Sequence, residues 1–100
     1  MLFEIRNVGV RFDTRWVSDV NLEGHKVVSI GNGVSVAYKS DLSSEEVDKF
    51  FRIIDEEGKQ TDIVGDFFIG KSSGSDVEGF ETENELIELI GRFKVALLAW

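Results

Sequence analysis

The chain has 100 residues, 42% of them apolar, with eight Phe, no Cys and no Pro. That is enough for one domain around one core, and the aromatics argue against a disordered acidic tail. Without cysteine, disulfides, thiol catalysis and thiolate metal sites are excluded. The net charge of -8 is unevenly placed. Residues 1–41 hold five acids and five bases, whereas residues 42–100 hold fourteen acids and six bases. From Ser72 to Gly91 there are six carboxylates and no Lys or Arg. Such a surface steers basic partners and repels nucleic acid and anionic membranes. No apolar run approaches the ~20 residues of a membrane span. The opening Met-Leu-Phe-Glu-Ile-Arg has no secretory pattern, so a cytoplasmic protein is expected.

In chain order, Phe3, Ile5, Val8, Val10 and Phe12 alternate with polar or small residues, with a parity slip near Arg6-Asn7 that predicts a bulge or turn. Asp13-Thr14 is expected to turn the chain into a second strand with Trp16, Val20 and Leu22 on one face, ending at Glu23-Gly24. The runs Lys26 to Ile30 and Val34 to Lys39 flank Gly31-Asn32-Gly33, a strong hairpin signal because Asn and Gly accept positive φ. A meander of about four strands follows from this.

Ser43 with Glu46 reads as a capping box, and Leu42 with Val47 as a hydrophobic staple. The pattern predicts a helix from there, with Val47, Phe50, Phe51 and Ile54 buried and Gly58 beyond its end. Thr61 to Ile69 reads as one strand, and Gly70 to Ser75 as a loop. A second helix is expected from Thr82, capped with Glu85, its buried stripe being Leu86, Leu89, Ile90, Phe93 and Leu97. The expected fold is therefore α+β: an antiparallel sheet of about five strands with two helices packed on one face, in a single domain over residues 1–100.

No catalytic constellation stands out. Gly65 to Ser72 matches the pattern of a phosphate-binding loop, but Phe67, Phe68 and Ile69 look like strand and no helix follows Ser72. His25 is the lone histidine, expected beside a turn, and no serine lies in a nucleophile elbow. Asp55, Glu56, Glu57, Asp62 and Asp66 lack the alternating spacing of a calcium loop. Neither an enzyme nor any cofactor or metal is expected.

Some of the acidity has a structural purpose. Glu45–Lys49, Asp48–Arg52 and Glu88–Arg92 have helical four-residue spacing, each pair contributing ~0.3–0.5 kcal/mol, and Glu83 and Glu85 suit the start of a helix. The acids left over, Asp55, Glu56, Glu57, Asp76, Glu78 and Glu81, are the candidate partner-binding residues. They point to a non-enzymatic acidic binding protein with a basic protein partner. The concrete form is an inhibitor, antitoxin or immunity-type protein that blocks a nucleic-acid-engaging effector, such as a toxin nuclease or a phage-defence complex. The alternative is a small structural or assembly subunit that associates through its apolar C-terminus or an edge strand, including a homodimer through Leu98 and Trp100.

Overall fold

A computed structural model describes residues 1–8, 11–39 and 49–99. Among these residues the protein is mostly β, with two antiparallel sheets and one helix, which replaces the expected sheet with two helices packed on one face. The elements are β1 (Leu2–Asn7), β2 (Phe12–Val17), β3 (His25–Gly31), β4 (Val34–Lys39), β5 (Lys49–Ile54), β6 (Gln60–Val64), β7 (Phe67–Ser73), β8 (Asp76–Glu78), α1 (Glu83–Ile90) and β9 (Lys94–Ala99). The larger sheet has the order β2-β1-β7-β4-β3, with β8 on the far part of β7. The smaller sheet has the order β6-β5-β9.

Four early strands are present, but not as a meander, and the second ends at Val17, so Val20 and Leu22 lie outside any strand and share no strand face with Trp16. The four strands form two hairpins, β1–β2 and β3–β4, and β7 is threaded between them, pairing Phe3 with Ile69 on one side and Val36 with Ile69 on the other. The first hairpin turns before Phe12, where the Val8 N–H donates to the Arg11 carbonyl at 3.0 Å; Asp13 and Thr14 lie within β2. The expected Asn-Gly hairpin is present. Asn32 and Gly33 have φ of 53° and 74°, the left-handed values that a two-residue turn between right-twisted strands requires.

The helix expected after Ser43 is overturned where it can be seen. Ser43, Glu46, Leu42, Val47, Glu45 and Asp48 lie outside the described residues, and Lys49–Ile54 is strand β5. Phe51 and Ile53 are fully buried while Phe50, Arg52 and Ile54 are half-buried, a period of two rather than 3.6. Two flanking strands decide it: Phe51 pairs with Ile63 of β6 and with Leu97 of β9. Arg52 accordingly reaches across the sheet to Asp62, with two nitrogen–oxygen contacts of 2.9 and 3.1 Å.

Thr61 to Ile69 is likewise two strands in different sheets, broken at Gly65, whose φ of 85° lets the chain turn the corner. The expected loop after Gly70 is the continuation of β7, which turns at Gly74 into β8. Gly70 is needed in that strand for close approach. A Cβ there would stand 2.3 Å from the Glu78 carbonyl oxygen and 2.5 Å from Val77 Cγ2.

The second helix is present but short. The Thr82 hydroxyl accepts the Glu85 N–H at 3.2 Å, while the Glu85 carboxylate reaches back to the Glu81 N–H at 3.0 Å, so the two side chains satisfy amides at the helix start. The helix ends at Ile90. Leu86 is buried and Leu89, Ile90 and Phe93 pack at the core margin, but position 97 belongs to β9 rather than to a helical stripe. Glu88 lies in the helix but Arg92 lies beyond its end, and Arg92 pairs instead with Glu56 at 3.5 Å.

The two sheets bury one core between them. Val34, Val36, Phe67 and Ile69 of the larger sheet meet Phe51, Ile53 and Ile63 of the smaller, with the Phe51 and Phe67 rings edge-on at 5.1 Å. Replacing Phe51 by Ala should cost about 3–5 kcal/mol in urea unfolding, because the sheets cannot close on the space left. The Gly70→Ala variant should lose about 1–3 kcal/mol by pushing β8 off β7.

Candidate functional site

The candidate acids come from two segments remote in sequence, and the fold brings parts of both beside the β3–β4 turn. At one side, Gly31 faces the β5–β6 turn, with a Cβ position only 3.9 Å from Asp55 Oδ2. At the other, the Ser72 N–H donates to the Gly33 carbonyl at 2.8 Å and the Ser35 and Ser72 hydroxyls are 2.6 Å apart, which holds the β7–β8 hairpin against the same turn. Three hairpin tips thus share one end of the molecule: Gly31–Gly33, Asp55–Lys59 and Ser73–Asp76.

The six carboxylates have different circumstances. Asp55 is half-buried and accepts the N–H groups of Glu57 and Lys59 at 2.9 and 2.8 Å, so it holds its turn together. Glu56 is exposed and paired with Arg92. Glu57 and Asp76 are exposed and make no ion pair with a described residue. Glu78 and Glu81 are exposed and lie along β8 and the approach to α1, where both act electrostatically on Lys71. Sequence spacing could not reveal that Asp55 is a turn residue, although Asp followed by Gly58 three residues later carries part of that signal.

Lys71 connects this acidic edge to the helix start. Its Nζ is 2.8 Å from Glu85 Oε1, and Glu85 also receives the Glu81 N–H. Hydrogen bonds from Lys71 and from that backbone amide hold the Glu85 carboxyl below its ordinary value of 4.5, and the same pair raises Lys71. Asp62 is held low by the hydrogen bonds from Arg52.

Between the β3–β4 and β5–β6 turns lies a concavity of about 170 Å³ lined by Gly31, Asn32, Asp55, Glu56 and Glu57. It is smaller than the ~300 Å³ at which ligand pockets begin and is suited to the head of a single side chain. A second concavity, of about 310 Å³, lies on the opposite face of the larger sheet, lined by Glu4, Asn21, His25, Lys39, Asp66 and Phe68. The buried Glu4 in it is already neutralised by Arg15, with Arg6 at 3.9 Å. His25 sits beside its turn as expected, its Nδ1 3.4 Å from the Glu23 carbonyl and its ring 5.7 Å from that of Phe68.

The phosphate-loop pattern is taken apart by the fold, since Gly65 is a corner and Phe67 to Ser72 lie in β7. Among the described residues no three His, Asp or Glu side chains are grouped to hold a metal ion, and no helix is long and apolar enough to cross a membrane. Comparison with protein-family models, curated proteins and solved structures gives no match.

The depressed carboxyl of Glu85 fixes a sign. A group with a lower pKa folded than unfolded adds stability above its unfolded value, and that contribution fades as pH falls through the folded value. Stability should therefore drop on acidification below about pH 4.5, and Glu85→Gln should make the drop shallower, as read by chemical unfolding at a series of pH values.

Proposed function

We propose that this chain is a non-enzymatic binding module that engages a basic protein through the acidic end formed by its hairpin tips. The reading is of the inhibitor or immunity type: carboxylates take the place of phosphates and cover the nucleic-acid-engaging surface of an effector. The observation behind it is that Glu56, Glu57 and Asp76, from segments some twenty residues apart, flank one turn on a paired β framework. Glu78 and Glu81 continue the negative surface along the neighbouring edge.

The physical case has three parts. Charges on hairpins held by cross-strand bonds lose little freedom on binding, which favours affinity. Exposed like charges near one another raise the local potential and speed association with a cationic partner. The concavity between Asn32 and Asp55 offers a place for one Lys or Arg head, where a guanidinium could meet Glu56 and Glu57. Asp55 supports this arrangement from below and is a positioning residue.

Partner capture from native host extract, using the tagged chain, supplies the basic protein for kinetic measurement. Its association rate should fall steeply as salt rises, and the combined Glu57→Lys and Asp76→Lys variant should reduce it by about tenfold or more. Glu23→Lys, at the other end of β3, should change it little. A captured partner that binds the double variant as quickly as the parent chain rules the acidic end out.

A further inference from the structure

The four long outer strands of the two sheets are not equally protected against pairing with another chain. Edge strands carry a row of backbone groups without strand partners, and proteins guard them with charge, bulges or shortness. In the larger sheet, β2 has Asp13 and Arg15 tied into ion pairs across to β1, and β3 carries the exposed Lys26 and a register break between Ser29 and Gly31. In the smaller sheet, β6 has five residues and presents Asp62 in its ion pair with Arg52.

The exception is β9. It runs six residues, Lys-Val-Ala-Leu-Leu-Ala, in unbroken register with β5, from Lys94 opposite Ile54 to Ala99 opposite Lys49. It has no glycine, no bulge and one charge, at its first position. Among the described residues its only strand partner is β5, and none of them pairs with its other edge. Its central residue Ala96 is exposed and too small to shield that edge.

We infer that β9 pairs with β9 of a second copy of this chain, joining two three-stranded sheets into one of six strands in the order β6-β5-β9-β9-β5-β6. The occupant follows from composition and charge. A chain of net charge -8 repels copies of itself over most of its surface, but the stretch from Gly91 to Ala99 has no carboxylate and carries Arg92 and Lys94. Antiparallel pairing about a two-fold axis at Ala96 sets position 94 against position 98, so the two lysines do not face each other, and each strand offers the other the same pattern of donors and acceptors. The smaller sheet also gains most from this, since three strands lie at the low end of the usual range for a sheet. The pairing uses a different edge from the acidic tips and does not rest on the function proposed for them.

Light scattering with size separation tests it over a wide range of protein concentration. The parent chain should double in mass as concentration rises, and more readily at higher salt, because screening weakens repulsion between two acidic chains. Ala96→Lys sets like charges against each other at the axis and should stay monomeric with its circular dichroism unchanged, whereas Thr14→Lys, on the exposed β2 edge, should still double. A parent chain that stays monomeric at every concentration overturns the inference, as does an Ala96→Lys variant that still doubles. Should Ala96→Lys not fold, amide exchange in the parent chain decides: protection of alternate β9 amides that grows with concentration supports the pairing, and protection independent of concentration overturns it.

Discussion

The contact between Phe67 and Phe51 holds the two sheets to one another, and most of the fold is arranged to make it possible. Phe67 opens the strand that runs through the middle of the larger sheet, and Phe51 lies in the middle strand of the smaller. Each is fully buried, and each is flanked in its own sheet by Ile or Val that face the same way: Ile5 and Ile69 beside Phe67, Ile53 and Ile63 beside Phe51. Central strands are where a sheet buries most apolar surface, so two aromatic residues placed there remove the largest area from water. Phe12 extends the contact from the β1–β2 side, its ring 5.8 Å from Phe51.

What could be read from the residues depended on how local the deciding physics was. The Asn32-Gly33 turn and the Thr82–Glu85 cap are settled by neighbours within four residues, and both are present. Residues 49–54 were ambiguous in a different way. Phe50, Phe51 and Ile54 fit one face of a helix, while Phe51 and Ile53 fit one face of a strand, and two adjacent aromatic and two adjacent β-branched residues favour the latter. The outcome rests on pairing with Ile63 and Leu97, residues the local pattern does not reveal. Lys94 to Ala99 followed the same rule, its apolar residues fitting either periodicity until β5 supplied an edge.

The candidate site was legible as a surplus of charge and illegible as a shape. Helix-based explanations for Asp48–Arg52 and Glu88–Arg92 do not hold, since Arg52 and Arg92 find Asp62 and Glu56 instead. Asp55 turned out to be used by its own turn, and Glu56 to have a cation at hand. Glu57 and Asp76 are left as exposed charge without a described counterion. Their approach to a common turn depends on the order of strands, which no periodicity encodes.

The position of β7 between the two hairpins also has a kinetic meaning. Phe3 and Ile69 are neighbours across the sheet although they stand 66 positions apart in sequence. During synthesis the hairpins β1–β2 and β3–β4 emerge first, and neither has a shared strand to join them until β7 leaves the ribosome. A topology governed by such distant pairings belongs among the slower-folding β proteins, because the loop-closure cost falls due before the contacts that reward it. The chain is thus kept waiting for its own centre, with two half-covered hairpins exposed in the meantime.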